Sequence, residues 1–471
     1  MTVRTPAVRF KQYLSSFFST LRKRKGNGAL RDLQDGGELS IGESYVTLGL
    51  IEHVIEIEQV SIITEKLSIQ IPIIQLPVEI WDIIVDFAVA ESRARFEDGQ
   101  RWLQNYGGVC RAWYLRCRFH ARQAISLSNK TTIHTLRLIK MLKGQPEYAS
   151  GIDAVCIDRN IEVLGPLATY MAQKLPRMAT LDVLHCCWRT GEPRTRIFHR
   201  MSATFQSMTR LRLFAVVFSS PVILARLVYS FPHLCSLTCV AVTFEALVLV
   251  PGPLPSLEGI SLQDVRVGAR DDVVGLLVHS SLCERVREVT LECISARECQ
   301  RLVDTAGESL SYLNIWPCRK DTYRKDYRGW DDFPLDITPA VNLHALRVSH
   351  FSFSSIHWLA AFLSRASLPQ LHEIEANFPF YAVTETQLWQ AASGVNDYYF
   401  TLIDLLLSGP RYPAIASVTF KLDVASYRRS EVKDVPSEEA WRLCLASRLP
   451  RLHRRRRLRT PVVVNVNDEW S

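Results

Sequence analysis

The chain has 471 residues, 47% of them hydrophobic and 22% charged, and its 10 Trp exclude a largely disordered polypeptide. Its net charge of +8 is concentrated at the ends: residues 1–31 hold eight Lys or Arg, residues 448–460 hold seven Arg, and neither stretch has an acid. The remainder is therefore net −7, which excludes a nucleic-acid surface spread over the body, and the 12 Cys contain no C-x-x-C pair, so zinc ribbons and thioredoxin-type redox motifs are unsupported.

Residues 1–70 read as a basic leader and linker, largely disordered. Within them Phe10, Leu14, Phe17, Phe18 and Leu21 fall at helical spacing among basic residues. Two further readings of this leader stand beside the first: a mitochondrial transit peptide and a membrane-surface helix. Gly26, Gly28, Gly36 and Gly37 mark a flexible linker.

From residue 71 the chain turns dense and apolar. Pro77 suits a first helical turn and Glu79 suits the positive end of the helix dipole. The spacing predicts a helix with two apolar faces, one of Ile80, Ile83, Ile84 and Phe87, the other of Val78, Trp81, Val85 and Val89. A short helix that is apolar on two faces needs two surfaces to pack on: its own domain and a partner. In a second helical segment Val109, Trp113 and Cys117 line one side, with Arg111, Arg116 and Arg118 in solvent.

After Ile125 a new pattern sets in: apolar, two residues, apolar, one residue, apolar. It reads Ile152, Val155, Ile157, then Met178, Leu181, Val183, and occurs ten times in all, among them Leu257, Ile260, Leu262, down to Ile415, Val418, Phe420. Most spacings sit at or just above the roughly 20–29 residues of a leucine-rich repeat. Pro176, Pro232, Pro255, Pro369 and Pro413 each precede a triplet by two residues. Proline cannot continue a helix, so each closes a helix before a strand whose alternate residues are buried. Ser220 before Pro221, and Ser295 with Glu298 three residues on, are helix N-cap candidates, the second with capping-box spacing. The predicted fold class is α/β: a small all-α domain at 71–122, a leucine-rich-repeat-like α/β solenoid at 123–447 with a parallel sheet on its concave side, and a basic disordered tail at 448–471.

Leu76, Pro77, Glu79, Ile80, Ile83 and Ile84, followed by Val109, Cys110, Arg111 and Trp113, resemble the F-box family pattern of Leu-Pro-x-Glu-Ile and a later Val-Cys-Arg-x-Trp. The resemblance covers about a tenth of the chain, residues 72–120. It departs from the family at 97–108, where Gly107 and Gly108 weaken a helix by about 1 kcal/mol each. The F-box of that family binds Skp1 and through it a cullin in a ubiquitin ligase. The resemblance thus implies that Leu76, Pro77, Ile80, Ile84, Val109 and Trp113 contribute to the Skp1 contact or to the core supporting it, and that the repeats hold a protein substrate. The alternative is a repeat scaffold without ligase association. Leu76 and Trp113 are expected at the surface in an adaptor and buried in a scaffold.

Phosphate-cradle, hydrolase-elbow and H-E-x-x-H motifs do not occur. The chain is expected not to be an enzyme, to need no cofactor or metal, to take no small-molecule substrate and to have no transmembrane segment. Arg454 to Arg457 read as a solubilising tail, a nuclear localisation signal or a nucleic-acid patch. The expected location is cytoplasmic, nuclear or both.

Overall fold

A computed structural model describes residues 77–94, 103, 107–108, 111–188, 196–245, 262–268, 272–280, 282–292, 295–316, 335–349, 353–380, 386, 389–390, 394, 396–426 and 435–466. The chain divides into two compact units, Met1–Cys117 and Arg118–Ser471. Among the described residues, no helix is long and apolar enough to cross a membrane.

The first unit contains α1, Val78–Ala94, and the first residues of α2, Arg111–Gln123. The Pro77 carbonyl accepts the amides of Ile80 and Trp81, so the proline sits at the helix entrance, where its missing N–H costs nothing. Ile84, Val85 and Val89 are buried on α1, and Trp113 and Cys117 are buried one turn apart on α2. Trp81 meets Trp113 edge to face at 5.4 Å. The Arg116 guanidinium grips the Asp86 carboxylate through two hydrogen bonds of 2.7 and 2.5 Å, joining the acidic stripe of α1 to α2.

The second unit is mixed α/β, built on an open, all-parallel 13-stranded sheet. Its strands are β1, Ala124–Ser128; β2, Ala154–Asp158; β3, Thr180–Leu184; β5, Arg210–Phe214; β7, Ser236–Val240; and β9, Asp264–Gly268. They continue as β10, Glu288–Glu292; β11, Tyr312–Trp316; β12, Ala345–Val348; β13, Glu373–Phe380; β14, Ser417–Ser426; β15, Leu458–Arg459; and β16, Val462–Val466. From β1 to β14 each pairs with its successor in flush register, so Val155, Leu181, Leu211 and Leu237 stand side by side. That column and the one two residues on are buried, while the residues between them form a polar face. Three short strands, β4, Cys187–Trp188, β6, Val217–Phe218, and β8, Thr243–Phe244, make a second small parallel ladder in which Trp188 stacks on Phe218.

Helices return the chain between strands, among them α3, Thr132–Gly144, α4, Leu164–Tyr170, α5, Arg196–Thr204, and α6, Pro221–Tyr229. Leu175, Phe231, Leu368 and Tyr412, each just before a turn proline, are buried. Ser220 precedes Pro221 but forms no side-chain cap, whereas Ser295 accepts the Glu298 amide at 3.3 Å. The Glu298 carboxylate pairs with Arg301. At the end of the early strands one residue takes a left-handed conformation: Asn129, Arg159, His185, Ala215 and Ala241, with φ from 49° to 68°. This turns its amide onto the carbonyl of the next repeat's last strand residue, as from His185 to Phe214 at 2.8 Å, and adds one rung to the ladder.

Two expectations are corrected. The triplet Leu257, Ile260, Leu262 is not the repeat: the strand is β9, and its triplet is Leu262, Val265 and Val267, all buried. Leu262 has the same spacing to apolar residues on both sides, which makes the wrong register look right. Ahead of the first triplet and within 123–447, β1 buries Ile125 and Leu127 and pairs with β2. Finally, the stretch from Arg448 is not a tail as far as Val466. It contains the end of α11, Glu438–Arg448 (after α7, Asp272–His279, α8, Ala296–Ala306, α9, Ile356–Arg365, and α10, Asp397–Leu407), then α12, Pro450–Arg454, β15 and β16. Its Leu449 and Leu452 are buried, and the Asp404 carboxylate, 3% exposed, accepts the amides of Arg451 and Leu452 at 2.9 Å each. The many arginines hide a short amphipathic helix and a strand.

Candidate partner-binding surfaces

On the helical unit the six residues singled out from the sequence take different places. Leu76 and Val109 lie outside the described residues. Pro77 is exposed, Ile80 half-buried, and Ile84 and Trp113 buried. Burial of Trp113, at 2% exposure, puts that ring in the core and not on the surface where direct adaptor contact would place it. Among the described residues, the large apolar side chains that face water are Ile83 (56% exposed) and Phe87 (44%) on α1, and Leu115 and Phe119 on α2. Ile83 and Phe87 are one turn apart, so they form a single exposed stripe beside the buried Ile84. The second face is therefore covered at Val85 and Val89, while the first is divided, with Ile84 buried and Ile83 and Phe87 facing water. The spacing revealed both faces but not which residues the domain covers.

On the repeat array the polar sheet face is a second extended surface. Its central column runs Asp182, Arg212, Thr238, Arg266, Thr290, Asn314, Arg347, Glu375 and Thr419 across successive strands. Many of the charges on this face are paired within the chain. Arg212 holds Asp182 through two bonds of 2.7 Å, Arg347 reaches Glu375 at 2.9 Å, Lys421 reaches Asp423 at 3.2 Å, and Arg266 contacts Glu292. Asp158 receives Ser128 at 2.7 Å and His185 at 3.0 Å, and Ser349 donates to Asn314 at 3.1 Å. Desolvation raises the Glu292 carboxyl above its ordinary range against the pull of Arg266, and raises Asp264 against Ser236 and its arginine neighbours. Such a surface can offer ordered donors and acceptors to a partner while carrying little uncompensated charge.

The cysteines serve the core. The described ones are free thiols, and desolvation pushes Cys186 and Cys283 up to about 12. Cys186 donates to the Leu184 carbonyl at 3.2 Å and Asn160 reaches the Lys130 carbonyl at 3.0 Å, both two residues past the strand end, where each stitches the turn to its surroundings. No group of His, Cys, Asp and Glu among the described residues could hold a metal ion.

No family model matches the chain, and no curated protein matches it. Among solved structures it is similar to the complex of Rad7 and Elc1 from yeast, with 12% identity and a TM-score of 0.35, over 91% of this chain and 94% of that one. A likeness of that degree carries no argument about function.

Proposed function

We propose that the chain is a substrate-recognition adaptor: its helical unit docks on a Skp1-like protein, and through it a cullin-based ubiquitin ligase, while the repeat array captures a protein substrate. The observation that carries the reading is the open apolar stripe of Ile83 and Phe87 on the helix that bears the Leu-Pro-x-Glu-Ile segment. Exposed apolar side chains at helical spacing suit a groove on a partner. Ile84 and Trp113 then support that helix from beneath, in the second of the two roles the F-box resemblance implies for them. The long polar sheet face suits a protein substrate, recognised by shape and hydrogen bonding, and no residue of the chain carries out chemistry in this reading.

Burial of Trp113 favours a second reading, a repeat scaffold that uses no ligase. Titration calorimetry of purified Skp1 against the full chain separates the two. In the adaptor reading, Ile83→Asp with Phe87→Asp abolishes binding while the circular dichroism spectrum stays that of the parent. A folded parent chain that gives no heat with Skp1 leaves the scaffold.

A further inference from the structure

The C-terminal end of the array gathers several exposed arginines on one short stretch. Some arginines of the chain find carboxylates within it, as Arg212 with Asp182 and Arg347 with Glu375, and others, such as Arg210 and Arg285, are exposed without a carboxylate partner among the described residues. Arg451, Arg454, Arg456 and Arg459 are exposed and have no carboxylate partner among the described residues. They do not belong to a loose tail. Asp404 caps the first turn of α12, Leu452 anchors it, and Arg455 donates to the Ser408 carbonyl at 2.8 Å.

Arg456 is the telling residue. The Arg456 amide donates to the His453 carbonyl at 2.9 Å and the Arg457 amide to Leu452 at 3.0 Å, which is the paired closure of a helix C-terminus. In that closure Arg456 occupies the left-handed position, φ 56°, which glycine fills without strain. Its guanidinium makes no hydrogen bond or ion pair with the described chain that would offset the strain. Arg459 lies next, on the polar face, in register with Thr419 and, one strand further, Glu375. Beside these cations β15 and β16 end the sheet: both pair with β14, and among the described residues nothing pairs with their other edge.

We infer that this cap binds an acidic, extended peptide segment of a partner protein. Its carboxylates meet Arg454, Arg456 and Arg459, and its backbone pairs along the open edge of β16. A peptide fits better than a nucleic acid on two counts. Only an amide backbone can continue the ladder, and the chain between its two basic ends is net acidic, so a long polyanion running past the cap would be repelled. The inference stands apart from Skp1 docking: a chain that never bound Skp1 would keep it.

Fluorescence anisotropy with the full chain tests it, using a labelled peptide of alternating glutamate and valine. The expected result is salt-sensitive binding, lost when glutamine replaces glutamate, and weakened in a glutamate–proline peptide of equal charge that cannot pair with the edge. Arg456→Gly should raise the melting temperature yet weaken binding. Arg454→Ser with Arg456→Gly and Arg459→Ser should weaken it by about tenfold. Binding unchanged in the triple variant would overturn the inference, since the basic residues at 1–31 would then be holding the peptide. Equal binding of the glutamine peptide, or tighter binding of a single-stranded oligonucleotide, would also overturn it. Equal binding of the glutamate–proline peptide would overturn the strand pairing.

Discussion

At the scale of single residues, the array places polar groups where burial alone would oppose them. Asp404 is tolerable in the interior because two backbone amides of α12 donate to its two carboxyl oxygens. Glu292 has a less favourable balance: burial raises its carboxyl and Arg266 only partly offsets this. Its folded form therefore keeps a proton at a pH where the unfolded chain has released it. Stability from this group falls as pH rises from 4.5 through the raised value. Glu292→Gln removes that dependence, although it leaves Arg266 without its partner at every pH. The melting temperature of the variant minus that of the parent should thus increase from about pH 4 to about pH 6. A difference that shrinks over that range would contradict the burial of Glu292 as its dominant influence.

At the scale of elements, packing outweighs charge. The Asp86–Arg116 pair joins α1 to α2 with good geometry, yet both side chains are partly solvated, so Asp86→Ala should cost less than about 1 kcal/mol. Trp113 is enclosed and meets Trp81, so Trp113→Ala should cost about 3–5 kcal/mol. Urea unfolding of the two variants checks the order, and a larger loss from Asp86→Ala would reverse this account. The same contrast explains what the sequence revealed. Period-two burial is strong in Val155, Ile157, Leu181 and Val183, so those strands were legible. The β9 triplet was misplaced because Leu257 and Ile260 reproduce the spacing ahead of Leu262. The elements after Arg448 were not legible, because Leu449 and Leu452 are outnumbered by arginines and their burial depends on α10, distant in sequence, as well as on the adjoining α11. At the candidate site the doubly apolar α1 was evident, but the exposure of Ile83 and Phe87 depends on packing that no local pattern encodes.

At the scale of the whole chain, a linear array has two ends, and each must be closed. The C-terminal closure is α12 with β15 and β16, which cover the far edge of β14. Truncation after Ser447 would uncover the outer edge of β14 along residues 422–426, leaving only β13 paired with it, and strip the Asp404 carboxylate of both amides. An open, long, β-branched edge invites pairing with other chains. The truncated protein should scatter light within a heating ramp that leaves the parent clear, and a truncated chain that stayed monodisperse would show that the closure is dispensable.

The flush register has a mechanical corollary. Ladder hydrogen bonds lie across the strands, so in this sheet they point from one repeat to the next. A load drawing the ends of the sheet apart would therefore act on one seam at a time, peeling strands off in succession rather than shearing many bonds together. Under tension the second unit would yield in small repeated steps, as a compliant spring between whatever holds its two ends.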